Sequence, residues 1–168
     1  MSGVKMKSRE VFNDCVSAKD YFVKAVEAKD YQQAKILWFS CVTLLRTIGH
    51  VLHKVDAQNF DVTLQEELFV QFKVWKSSEP IFKEFIEKER NNILKEYDIC
   101  VEVSEVKESV NLITSDGFQL VSSDGYTLQA TNTIEDFVKA NGYCKGESPI
   151  SILNSALNWW DIKLKKFE

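Results

Sequence analysis

The stretch ILWFSCVTLLRTIGHVLHKV, residues 36–55, decides the fold class. Counted from Ala34, its apolar row runs through Trp38, Cys41, Val42, Leu45, Gly49, Leu52 and Val55. Those steps of three and four put the row on one face of an α-helix, the kind of seam that packs against antiparallel neighbours. Arg46, His50, His53 and Lys54 interrupt the run, which therefore falls short of the roughly 18 uninterrupted apolar residues of a membrane span. A buried helix over about 31–56 is expected, with Asp30 as its N-cap.

The same periodicity appears on both sides. Upstream, Phe12, Cys15, Val16, Phe22, Val23 and Val26 predict a helix over about 9–28. Downstream, Thr63 and Glu66 stand in capping-box spacing before Leu64, Leu68, Phe72 and Trp75, a third helix. Ser77-Ser78-Glu79-Pro80 interrupts it, because proline starts a helix but cannot continue one. A fourth helix over about 80–97 is expected to turn Ile81, Phe82, Phe85, Ile86, Ile93, Leu94 and Tyr97 inward.

From Ile99 the texture changes. Ile99, Val101 and Val103 alternate with polar residues, the period of a half-buried strand. Ser115-Asp116-Gly117-Phe118-Gln119-Leu120 and Ser123-Asp124-Gly125-Tyr126-Thr127-Leu128 then repeat at eight residues, each with an Asp-Gly turn signal. Val110 and Leu112, Phe118 and Leu120, Tyr126 and Leu128 would share one face of a three-stranded meander. Thr133 is expected to cap a short helix over Ile134, Phe137 and Val138, ended by Asn141-Gly142. Ser148-Pro149 opens a last helix carrying Trp159 and Trp160. The expected fold class is mainly α (α+β): a four- to five-helix antiparallel bundle with a three-stranded antiparallel β meander before the C-terminal helix. Its parts are a bundle core over 1–98, the meander over 99–132, and C-terminal helices over 133–168 that pack back within one domain.

Composition sets the outer limits. The chain has 168 residues, 45% hydrophobic and 27% charged, with only six Gly and two Pro, which excludes a collagenous or low-complexity chain. Eleven Phe, five Tyr and four Trp supply a sizeable core and exclude disorder over most of the length. Net charge is +3 over residues 1–56, −3 over 57–98 and −4 over 99–168. No segment is a basic footprint for duplex nucleic acid, so any such contact needs a local cluster. Cys15, Cys41, Cys100 and Cys144 contain no Cys-x-x-Cys pair and fit neither a zinc site nor a disulfide framework, which points to a reducing, cytoplasmic setting. The polar, basic stretch Met1–Glu10 does not read as a secretory signal. The Asp116 and Asp124 turns offer one carboxylate each, too few for a calcium loop.

Two constellations carry charge that chemistry could use. On the second helix Arg46, His50 and His53, spaced four and three, share one stripe. As a metal site the two histidines lack a third ligand beside them in sequence, though Glu66, Glu67 or Glu84 could supply one, and neither a metal nor a cofactor is expected. The plainer alternative has the stripe edging the bundle, with Arg46 paired to a carboxylate of the fourth helix. The other constellation is Phe85-Ile86-Glu87-Lys88-Glu89-Arg90-Asn91-Asn92-Ile93-Leu94-Lys95-Glu96-Tyr97. Its plainer alternative pairs Arg90 with Glu87 or Glu89 on a solvated helix end.

Arg90, Asn91 and Tyr97 resemble the motif of the HEPN superfamily (higher eukaryotes and prokaryotes nucleotide-binding domains). There a late helix of a bundle carries Arg, often followed by Asn, Asp or His, then His after four to six residues, and in many members Tyr two further on. The resemblance covers chiefly the second and fourth helices. It departs from the pattern at Lys95, which stands where the family has His. Active members are taken to cleave RNA without a metal, the His working near neutral pH. An ammonium group holds a phosphate but is a poor general base. The resemblance therefore implies a degenerate binding or regulatory module more than an enzyme, with RNA or a nucleotide at Arg90, Asn91, Lys95 and Tyr97, joined by Arg46 and His50 if folding brings the stripe alongside. It implies a homodimer and a prokaryotic defence or toxin–antitoxin setting. The alternatives are a metal-independent endoribonuclease using Arg90 with His50 or His53, and a protein-interaction bundle without a small ligand.

Overall fold

The computed structural model describes residues 6–168; Met1–Lys5, the start of the polar N-terminal stretch, lie outside the described residues. The described residues form five α-helices and a two-stranded antiparallel sheet: α1 (Lys7–Glu27), α2 (Tyr31–Lys54), α3 (Val62–Ser78), α4 (Lys88–Glu96), β1 (Val101–Asn111), β2 (Gln129–Lys139) and α5 (Pro149–Leu164). A 3-10 turn, Asp56–Asn59, joins α2 to α3, and a π-helical stretch, Ile81–Glu87, leads into α4. The chain divides into two compact units. One comprises the residues up to Glu102 with Val138–Glu168, and the other is Val103–Phe137.

In the helical unit α2 is the central element. By length and composition it could cross a membrane, but its apolar row is spent inside the protein. Trp38, Cys41, Val42, Leu45, Ile48 and Leu52 are fully buried, as the 3–4 spacing dictates. The row ends one residue early, because Val55 lies beyond the last helical turn and is exposed. Asp30 caps the helix as expected, accepting from Gln33 N at 3.1 Å. For α3 the cap is Asp61, which accepts from Leu64 N at 2.9 Å; Thr63 already lies inside the helix. A cap from far along the chain closes α1. Lys7 N and Ser8 N both donate to the buried carboxylate of Asp56, each at 2.9 Å. Trp75, Trp159, Trp160, Phe72 and Phe82 interlock with ring centroids 4.8–6.5 Å apart, joining α3, the π stretch and α5.

The inward face of the fourth helical segment is narrower than its sequence predicts. Phe82, Phe85, Ile86 and Ile93 are buried, but Leu94 and Tyr97 are exposed. Leu94 follows Ile93 by one residue, a rotation of about 100° away from the face. Tyr97 is the left-handed C-terminal residue (φ 55°, ψ 28°), where the backbone turns out of the helix.

The second unit departs most from expectation. Residues 133–139 belong to β2 rather than to a helix, since β1 offers an antiparallel partner that a short isolated helix would lack. Nor is there a three-stranded meander. The two octads between the strands form separate tight turns closed by the antiparallel pairs Ile113–Gln119 and Val121–Thr127. Gly117 and Gly125 take φ of 85° and 84°, as the Asp-Gly signal requires. Equivalent leucines of successive octads then bond in a ring: Leu112 N donates to Leu128 O (2.9 Å), Leu128 N to Leu120 O (2.8 Å), and Leu120 N to Leu112 O (2.8 Å). Three hairpins thus meet at one triangle of backbone bonds. Val103–Phe137 carries six acidic side chains and one lysine.

Candidate functional site

The stripe on α2 and the start of α4 meet. Thr43, Arg46, Thr47, His50 and Arg90 line one crevice of about 220 Å³ in the helical unit. The 3–4 spacing on α2 sets the first four residues in a row, and α4 presents Arg90 against that row.

The electrostatics are one-sided. Arg46 Nη2 lies 3.6 Å from Glu87 Oε1, a carboxylate it shares with Lys76 Nζ, also at 3.6 Å. The expected pairing of Arg46 with an acid of the fourth helical segment is therefore present, through the last residue of the π stretch. Arg46 also covers the rings of Phe72 (6.0 Å) and Phe82 (5.8 Å). Burial pushes its pKa below the usual value; Glu87 opposes this and the neighbouring Arg90 guanidinium adds to it. Arg90 does not pair with Glu87 or Glu89. Its Nη1 donates to Asn91 Oδ1 at 3.0 Å, and among the described residues no carboxylate forms an ion pair with it. Thr43 Oγ1 is buried with no hydrogen-bond partner among the described residues.

Glu89 faces the other way. Its carboxylate meets Lys139 Nζ at 2.5 Å, with side-chain exposures of 2% and 0%, and Lys139 Nζ also donates to Asn141 O. This buried pair clamps α4 to the turn after β2 and so fixes the rotation that turns Arg90 to the crevice. The neighbouring Cys100 thiol is pushed up to about 12 by burial and by the charge of Glu89.

His53, one turn beyond His50, lines a second cavity of about 280 Å³ that shares Arg46 and His50 with the first. Burial holds its pKa below the usual imidazole value, and the charges of Lys54, Lys76, His50 and Arg46 push the same way. Lys95 and Tyr97 do not join this site. Lys95 is exposed and lines neither cavity, while Tyr97, 71% exposed, stacks under Lys35 Nζ at 5.6 Å beside Gln32 and Phe39. Thr43, Thr47, Phe69, Lys73 and Lys76 were not among the predicted site residues. The two threonines continue the Arg46–His50 stripe and were legible from it, whereas the α3 residues carry no local signal. Three or more His, Cys, Asp or Glu do not converge anywhere among the described residues in a way that could hold a metal ion.

No family model, no curated protein and no solved structure matches this chain.

Proposed function

We propose that this chain is a degenerate HEPN-like binding module whose Arg46–His50–Arg90 crevice receives a phosphate of RNA or of a nucleotide. One observation carries the reading: two guanidinium groups share a crevice, Arg46 divides its one carboxylate, Glu87, with Lys76, and Arg90 has no ion-pair partner among the described residues. Like charges held together raise the local potential, and a bound anion relieves it. Guanidinium forks match phosphate oxygens in geometry as well as charge. Asn91 orients Arg90, while Lys95 and Tyr97 stand outside the contact surface. A role in prokaryotic defence or toxin–antitoxin pairing and a homodimer joined through the motif helices complete the proposal by resemblance, and the cysteine pattern adds a cytoplasmic setting.

Anisotropy titration of a labelled single-stranded RNA tests it. Arg46→Ala and Arg90→Ala should each weaken binding about ten-fold or more, the worth of a charge-assisted contact. Lys95→Ala should change little. Equal affinity in all four proteins sinks the proposal. If neither RNA nor nucleotides bind or shift the melting temperature, the interaction bundle without a small ligand takes its place.

A second reading rests on His50, which brings into the crevice the imidazole that Lys95 does not supply. In that reading the protein is a metal-independent endoribonuclease, with Arg90 on the phosphate and His50 as general base. Cleavage of RNA in EDTA, lost in His50→Gln, would establish it; intact RNA leaves the binding module.

A further inference from the structure

We propose that the cavity between α2 and α3 is a nucleobase subsite, so that the ligand of the phosphate crevice is single-stranded RNA with an unpaired base laid against Phe69 and His53. This rests on the phosphate-binding reading above and extends it. The cavity of about 280 Å³ shares Arg46 and His50 with the phosphate crevice, so a chain leaving the crevice along α2 enters it directly.

Its floor is aromatic. Phe69 is 50% exposed on α3, and the His53 ring lies near-parallel to it at 6.3 Å and 29°. Phe72, 5.0 Å from His53, closes the back. The rim is cationic: Lys54, Lys73 and Lys76 line the same cavity, and Lys73 Nζ sits 4.2 Å above the centre of the Phe69 ring. That ammonium marks the electron-rich face a base would take over, leaving Lys73 free to reach the adjoining phosphate. An aromatic floor inside a ring of cations is what single strands require, because every base has a π-face and every link a phosphate. A paired duplex hides its base faces and would gain only the rim. His53, kept neutral by burial and by its cationic neighbours, is suited to stack rather than to repel a ring.

The test uses the full chain with two probes: a short single-stranded RNA carrying 2-aminopurine, and linear polyphosphate as a base-free anion. Phe69→Ala should weaken RNA binding about ten-fold and abolish quenching of the 2-aminopurine, while polyphosphate binding stays unchanged. Phe69→Trp should bind RNA at least as tightly as the parent protein. If RNA and polyphosphate bind equally and Phe69→Ala affects neither, the base subsite is wrong and the phosphate crevice stands. Equal weakening of both probes also overturns the subsite. If neither probe binds the parent protein, the phosphate-binding reading fails with it.

Discussion

Replacing Lys139 by methionine tests whether the clamp behind Arg90 is electrostatic. The substitution keeps the unbranched side chain to within one atom of its length and removes its charge, leaving the Glu89 carboxylate 2% exposed without its cation. Breaking a buried pair from one side costs about 3–5 kcal/mol, because the abandoned charge stays out of water. For a chain of this size about 2–4 °C of melting temperature is lost per kcal/mol, so the midpoint should fall by roughly 6–20 °C at pH 7. Gly142, at φ +77°, lies close beside the carboxylate: a Cβ there would stand 2.9 Å from Glu89 Oε1.

The pH dependence separates this account from a packing defect. In the parent protein burial raises the pKa of Glu89 in the folded state, against the opposing effect of Lys139. The folded protein thus holds this proton more tightly than the unfolded chain, and stability from this group falls as pH rises through the window between the two values. Losing Lys139 removes the opposing cation, raises the folded value further and extends the window upward. Lys139→Met should therefore recover part of its loss between pH 7 and pH 5, measured by urea unfolding at each pH. A Glu89→Gln/Lys139→Met double variant should be more stable at pH 7 than Lys139→Met alone. A loss under about 1 kcal/mol with the parent's pH profile would refute the reasoning.

Gly49→Ala should destabilise although alanine is the better helix former by about 1 kcal/mol. Its Cβ would meet Trp160 Cη2 at 2.9 Å, and Trp160 is wedged between Trp75 and Phe82, so overpacking of about 1–3 kcal/mol prevails; a raised urea midpoint would contradict this. Asp56→Ala should cost about 1–2 kcal/mol and speed hydrogen exchange at Lys7 and Ser8, whose amides it caps; unchanged exchange there would rule the cap out.

The helices were legible where spacing and punctuation agreed. Asp30, Pro80 and Ser148-Pro149 mark ends that hold, and the 3–4 row from Ala34 to Leu52 is buried throughout. The segment Thr133-Ile134-Glu135-Asp136-Phe137-Val138 was not legible, because capping residue and apolar spacing are locally those of a helix. Pairing with β1, more than twenty residues upstream, overrides that pattern. The Asp-Gly turns could be read, but the leucine ring they close could not, since it joins backbone groups of Leu112, Leu120 and Leu128 across both turns. In the site, Arg46 and His50 were visible as a stripe and Arg90 as a motif residue. Tyr97 misled because counting along a helix assumes that the helix continues, and here it ends at Glu96; Lys95, still inside α4, falls about 140° around the helix from Arg90 and so off its face. The Glu89–Lys139 pair, fifty residues apart, leaves no local trace.

The chemistry of the crevice bears on the choice between holding RNA and cutting it. Cleavage at a ribose phosphate needs a base to take the 2′-hydroxyl proton and an acid to protonate the departing oxygen. Guanidinium groups stay protonated, so Arg46 and Arg90 can steady an anion but deliver no proton. His50 alone supplies an imidazole to that crevice, and His53, which shares the second cavity with it, is held neutral and so starts as an acceptor. His53 therefore offers that site a base and no acid. Cations that bind the ground-state phosphate as well as the transition state add affinity and no rate. With Lys95 displaced to the exposed end of α4, the groups that do line the crevice are suited to retention of a phosphate, and the aromatic floor beside them favours a strand that stays bound.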